Sequence, residues 1–219
     1  PETTDKCTWN STNEKVAVVD ENGNVTAVGV GKCIINCRTS GDLISKCRLQ
    51  VNLPAESVEI NSEKDTLYIG EVLQLKAVIT PEKSTDSLEW SSSDSSVARV
   101  TSGGSVKGVS VGTAVITAKV TNGVTNESVT ATFEINILKK ADSVKLSQNS
   151  LSLLCGEKNF LTYTLLPDDS NDTVAWSSTD ESVASVRDDG LITAIAPGTC
   201  YIRIETGSGS SAKCKVTVK

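Results

Sequence analysis

Apolar and polar residues alternate with a period of two along much of the chain. Leu73, Leu75, Ala77 and Ile79 alternate with Gln74, Lys76 and Val78, and Ala114, Ile116 and Ala118 alternate with Val115, Thr117 and Lys119. Phe133, Ile135 and Ile137 continue the pattern. Successive side chains of an extended strand point to opposite faces, so these runs predict strands packed on one side and wetted on the other. Gly103-Gly104, Asn122-Gly123, Asp189-Gly190 and Pro197-Gly198 separate such runs. Glycine and asparagine tolerate positive φ and proline fixes it, so these pairs predict tight turns.

The pattern recurs. Cys7-Thr8-Trp9-Asn10-Ser11 returns as Leu88-Glu89-Trp90-Ser91-Ser92 and again as Val174-Ala175-Trp176-Ser177-Ser178. Val16-Ala17, Val97-Ala98 and Val183-Ala184 keep the same spacing, as do Gly23, Gly104 and Gly190, and then Gly31, Gly112 and Gly198. Upstream of the tryptophan, Ser57-Val58-Glu59-Ile60 aligns with Ser143-Val144-Lys145-Leu146, Ile69-Gly70-Glu71 with Cys155-Gly156-Glu157, and Pro81 with Pro167. Three copies of one unit follow, over residues 1–53, 54–139 and 140–219, each with room for six or seven strands. The second copy carries a longer hairpin loop around Thr121 to Ser128. The first copy lacks the strands that precede the tryptophan in the other two, and reads as the C-terminal part of a repeat, so the sequence reads as a fragment.

Composition narrows the functional classes. The chain of 219 residues carries 21 Lys and Arg against 27 Asp and Glu, a formal charge of −6, with no histidine. No basic cluster offers a footprint for nucleic acid, and no apolar run is long enough for a membrane helix. Without histidine there is no Ser-His-Asp or Cys-His nucleophile and no His-ligated zinc. A non-catalytic, all-β protein with no cofactor is expected.

The residues that carry a resemblance are now in view. Tryptophan followed by serines and an acid (Trp90-Ser91-Ser92-Ser93-Asp94, Trp176-Ser177-Ser178-Thr179-Asp180) is followed by Val-Ala-x-Val and then by a Gly-Thr motif (Gly112-Thr113, Gly198-Thr199). In that order they resemble the bacterial immunoglobulin-like domain, group 2, found in tandem in surface proteins of the invasin and intimin kind. The resemblance covers essentially the whole chain. It implies tandem immunoglobulin-like Greek-key β-sandwiches arranged as a rod, at the bacterial cell surface or secreted.

Candidate sites are few. Trp9, Trp90 and Trp176 share one repeat position and read as core anchors rather than as a sugar-stacking platform. Asp168, Asp169 and Asp172 form the densest acidic stretch and are weak calcium candidates, without the spaced ligands and closing glutamate of a calcium loop. The Ser-Ser-x-Asp runs suit turns and caps. Cys33 and Cys200 occupy one repeat position, Cys47 and Cys214 another, all in the inward register of buried apolar residues. In the implied fold, the early strand closed by Cys155 runs parallel to the last strand and meets the start of the Cys200 strand, so a Cys155–Cys200 disulfide is expected. Cys7 opens a strand and Cys37 ends its antiparallel neighbour, so a Cys7–Cys37 bridge is expected as well.

The junctions between copies are short and contain no Gly/Ser linker, which suits abutting modules that advance roughly 40 Å each. The leading expectation is a structural stalk that presents an adhesive or other tip domain. One alternative is an adhesin that binds a host or cell-surface protein or glycan through its loops. Another is self-association through the incomplete first repeat, giving a filament or virion component completed by a neighbouring chain's strands.

Overall fold

The computed structural model describes residues 6–219, and among them no residue is helical. The first repeat contains β1 (Cys7–Ser11), β2 (Ala17–Val19), β3 (Val25–Ala27), β4 (Gly31–Thr39) and β5 (Ile44–Val51). They form a sheet of order β1-β4-β5 and the hairpin β2-β3. The second repeat runs through β6 (Ser57–Asn61), β7 (Thr66–Tyr68), β8 (Val72–Gln74), β9 (Lys76–Thr80), β10 (Ser87–Ser92), β11 (Ala98–Val100), β12 (Ser105–Gly108), β13 (Gly112–Thr121) and β14 (Ser128–Leu138). The third repeats that order as β15 (Ser143–Leu146), β16 (Ser150–Leu153), β17 (Lys158–Phe160), β18 (Tyr163–Leu166), β19 (Val174–Ser178), β20 (Ala184–Val186), β21 (Leu191–Ala194), β22 (Gly198–Thr206) and β23 (Ser211–Val218).

Both later repeats are immunoglobulin-like sandwiches. In the third, the sheet β16-β23-β22-β19 is accompanied by β17-β21-β20 and the pair β15-β18; in the second, the sheet is β10-β13-β14-β7, with β11-β12-β8 and β6-β9. The early strand β16 lies parallel to the last strand β23, and β7 lies parallel to β14. One expected run is divided. The alternating stretch 73–79 breaks at Leu75, where the chain leaves β12's partner β8 and becomes β9, the partner of β6. Leu75 stays fully buried and its N–H turns to the carbonyl of Gly104 at 3.0 Å. Leu161 bonds to Gly190 in the same way in the third repeat. Period two is preserved across the break, so the pattern alone does not reveal that the strand changes sheets.

The chain divides into two compact units, residues 1–61, 76–90 and 117–132 in one, and 62–75, 91–116 and 133–219 in the other. They do not coincide with the repeats. The first unit contains two apolar clusters, one of Val16, Ala17, Cys33 and Ile35 backed by Trp9, the other of Val58, Ala118 and Val120 backed by Trp90. The second contains the core of the third repeat, with Leu161, Ile192, Ile202 and Val216 at its centre and Trp176 packed against it. In the first repeat β1 and β5 are the edges of the sheet β1-β4-β5 among the described residues, and Leu43, next to β5, and Ile44, its first residue, are exposed.

Candidate functional site

The acidic stretch 168–172 follows β18 and leads into β19, inside the second unit. Its last residue is the one buried carboxylate among the described residues. Asp172 is 6% exposed, and such a group is retained only when donors surround it. The Tyr68 hydroxyl donates to its Oδ1 at 2.5 Å. Its Oδ2 accepts from the Ala141 N–H at 3.1 Å, from the Ser208 N–H at 3.3 Å and from the Ser208 hydroxyl. Tyr68 belongs to the second repeat, Ala141 to the connection and Ser208 to the β22–β23 turn, so one carboxylate ties three segments together.

The surrounding residues reinforce it. The Lys139 N–H donates to the Asn171 side-chain oxygen at 2.6 Å, and its ammonium lies 2.5 Å from Asp169. Lys140 reaches back to Glu71 at 2.9 Å and sits 5.0 Å from the centre of the Tyr68 ring. Gly207 leaves the space Tyr68 needs, since a Cβ there would stand 2.7 Å from the Tyr68 hydroxyl and 2.3 Å from Thr173 Oγ1. Burial pushes the Asp172 carboxyl up, but the bonds from Ser208, Tyr68 and Ala141 outweigh it and hold the pKa below the ordinary 3.8. Tyr68 is pushed up to about 12, first by burial and then by its bond to the carboxylate. The bond from Lys140 lowers Glu71, and that from Lys139 lowers Asp169.

At the earlier connection, inside the first unit, the half-buried Asp86 keeps one contact of this set. Asp86 Oδ2 accepts from the Ala55 N–H at 2.8 Å, and Leu53 and Thr85 exchange bonds at 2.9 and 3.0 Å. The Ser84 hydroxyl accepts from the Asp86 N–H at 3.2 Å, as that of Ser170 does from the Asp172 N–H at 3.3 Å. The long Thr121 to Ser128 hairpin loop lies beside this connection, with Asn122, Glu127 and Ser128 sharing a small cleft with Pro54, Ala55 and Asp86. Asn122 organises the loop by accepting from the N–H groups of Val124 and Thr125.

The three calcium candidates have separate surroundings: Asp168 is exposed, Asp169 pairs with Lys139, and both oxygens of Asp172 are engaged by hydrogen-bond donors. No group of three or more His, Cys, Asp or Glu side chains that could hold a metal exists among the described residues. Asp94 and Asp180, from the Ser-Ser-x-Asp runs, accept from the backbone and hydroxyl of Ser96 and Ser182 and shape turns. The three tryptophans are half-buried against their cores. Trp176 meets Tyr163 edge-on at 6.0 Å, and its indole N–H is buried without a partner.

Neither expected disulfide is formed; all seven cysteines are free thiols. Cys200 is sealed in the third core, 1% exposed, whereas Cys155 lies beyond the end of β16, exposed, with its thiol donating to the Ile195 carbonyl at 2.7 Å. The parallel pairing of β16 and β23 is present, but the two side chains take opposite surroundings. Cys7 and Cys37 are unbridged as well; the register pairs Cys7 with Thr39 and Trp9 with Cys37, so the two cysteines are diagonal rather than directly opposite. Sequence reasoning missed Tyr68, Ala141, Ser208 and the Asp86 counterpart. A signal existed, because Ser84, Asp86 and Ala55 precede Ser170, Asp172 and Ala141 by the same 86 residues that relate the two tryptophans.

Comparison with known proteins gives a consistent match. The profile described as bacterial Ig-like domain (group 2) matches residues 1–42, 54–133 and 140–216. An uncharacterised protein of Clostridium acetobutylicum is 33% identical over 152 residues, covering 67% of this chain and 16% of that protein. Ice-binding protein 1 of Shewanella frigidimarina is 28% identical over 213 residues, covering 92% of this chain and 23% of that protein. An Ig-like virion protein of Serratia phage KSP90 is 31% identical over 175 residues, covering 76% of this chain and 66% of that protein. The chain spans less than a quarter of the first two of these relatives.

Proposed function

Because the chain belongs to the bacterial Ig-like domain (group 2) family, we propose that it is a non-catalytic spacer of a surface or secreted protein, its repeats latched to one another rather than hung on flexible linkers. The observation that carries this reading is the buried Asp172, which holds Tyr68 of the second repeat, Ala141 of the connection and Ser208 of the third; the half-buried Asp86, at the same repeat position, keeps the bond from Ala55. A flexible tether needs no buried carboxylate, and burying one is costly unless its position is being held. Relatives named as a virion protein and an ice-binding protein support a structural role outside the cytoplasm. In this role the modules set the distance between an anchor and whatever lies beyond them.

Small-angle X-ray scattering of the wild-type chain and of an Asp86→Ala/Asp172→Ala variant tests the proposal. The wild type should give a narrow distribution of extents, and the variant a broader one with unchanged strand content by circular dichroism. A wild-type distribution as broad as the variant's overturns the reading. Direct adhesion has one observation in its favour: Val124, at the tip of the long hairpin loop, is 72% exposed, and binding residues concentrate on such loops. Under that reading, Val124→Ser lowers attachment to cells or glycans while leaving the scattering profile unchanged.

A further inference from the structure

The outward face of the first repeat's sheet is basic, although its cations are scattered along the sequence. Trp9, Cys33, Ile35 and Leu49 pack into the core, so the alternate positions of β1, β4 and β5 share the opposite face. The β4–β5 register sets that face in four rows: Arg38 beside Ile44, Asn36 beside Lys46, Ile34 beside Arg48 and Lys32 beside Gln50. On β1, Thr8 and Asn10 extend the first two rows. Each row holds one cation, all four cations are exposed, and no position in the rows is an acid. A two-residue step is about 6.7 Å, so the cations run over roughly 20 Å. Arg38 meets Asp42 of the β4–β5 turn at 3.2 Å, whereas Lys32, Lys46 and Arg48 pair with no acid among the described residues.

The other repeats do not share this balance. At equivalent positions the second has Glu89 for Thr8 and Glu134 for Arg48, and Lys119 is its one cation on that face. The third keeps Lys213 and Lys215 where the first has Lys46 and Arg48, but Glu205 replaces Arg38 and pairs with Arg203 at 3.2 Å, and Lys213 lies 5.1 Å from the centre of the Tyr201 ring. Two open depressions lie along the first repeat's face, one of about 460 Å³ between Asn10, Asn36 and Lys46 and one of about 530 Å³ between Lys32, Ile34 and Arg48.

We propose that this face is a docking surface for an anionic polysaccharide, whose sulfate or carboxylate groups meet the line of cations while the amides of Asn10 and Asn36 bond to sugar hydroxyls. Charge complementarity is local here, because the chain as a whole carries −6 and repels a polyanion elsewhere. A single-stranded nucleic acid has the same charge, but proteins that bind it stack its bases on aromatic side chains. None of the positions in the four rows is aromatic.

Heparin, a sulfated polysaccharide, is the probe, titrated into the full chain at about 50 mM salt and upward. Binding should weaken with salt at a log–log slope of about −3, as four cations releasing counterions require. Lys46→Glu/Arg48→Glu should weaken it at least about tenfold and flatten the slope, with strand content unchanged by circular dichroism. Lys119→Glu should leave affinity unchanged, and Lys213→Glu/Lys215→Glu should lose less than the first-repeat variant. In the wild type, heparin should protect Lys32 and Lys46 from acetylation, which reads the site without any substitution. No binding at the lowest salt, equal acetylation with and without heparin, or an equal loss in the third-repeat variant overturns the proposal. Equally tight binding of neutral dextran overturns its electrostatic basis, and tighter binding of a single-stranded oligonucleotide overturns the choice of partner.

Discussion

Replacing Asp172 with asparagine keeps the shape of the latch and removes its charge. In the wild type the Tyr68 hydroxyl is pushed from 10.0 up to about 12, an elevation equivalent to about 2–3 kcal/mol. Burial is the larger cause and survives the substitution; the bond to the carboxylate and its charge do not. Tyr68 is partly exposed, so solvent screening trims the electrostatic share, and Asp172→Asn should lose no more than about half of the elevation. Tyr68 raised in the folded state contributes stability that is complete below pH 10 and disappears as pH rises through about 12. The variant should show a smaller alkaline loss. The asparagine oxygen can still accept from Ala141 and Ser208, but bonds to a neutral acceptor are weaker by about 1 kcal/mol each, partly offset by easier burial, for a net cost of about 1–2 kcal/mol. Ultraviolet titration of tyrosinate, with the Tyr68→Phe curve subtracted, isolates this group from Tyr163 and Tyr201. An unchanged Tyr68 titration in Asp172→Asn would refute the assigned hydrogen bond.

Asp172, held below 3.8 in the fold, contributes stability that is present above that value and lost as pH falls through its lower folded pKa. The urea midpoint of the wild type should therefore drop more steeply below about pH 4 than that of Asp172→Asn. Gly207→Ala places a methyl 2.7 Å from the Tyr68 hydroxyl and should cost about 1–3 kcal/mol in urea unfolding, with Tyr68 titrating earlier. Gly190 has φ of +80, and a Cβ there would lie 2.4 Å from the Leu161 carbonyl oxygen and 3.2 Å from the Trp176 ring. Gly190→Ala should cost about 2–4 kcal/mol and alter Trp176 fluorescence.

The sandwich was legible because its signal is local: alternation gives strands, Gly and Asn give turns, and threefold recurrence fixes their order. The division of the 72–80 run at Leu75 was hidden, since changing sheets leaves the alternation intact. The latch was hidden for a different reason. Asp172 reads as one more acid in a solvated loop until Tyr68, 104 positions away, is seen to reach it, and periodicity says nothing about such a meeting. The Cys155–Cys200 expectation rested on strand direction, which is present, but direction does not set which way a side chain faces. Cys155 lies just past the last paired residue of β16, where the inward register no longer applies.

The parallel pairing of the early strand β16 with the last strand β23 bears on how a repeat responds to tension. In the third repeat Ser150, Leu151, Ser152 and Leu153 pair in order with Lys215, Val216, Thr217 and Val218. Pulling the chain toward the N-terminus at β16 and toward the C-terminus at β23 slides these two strands past each other along their length. The hydrogen bonds between them are strained together and must fail together, whereas an antiparallel pair pulled from one end opens one bond at a time. Strand direction alone thus makes the module resist stretching in the geometry a tether experiences.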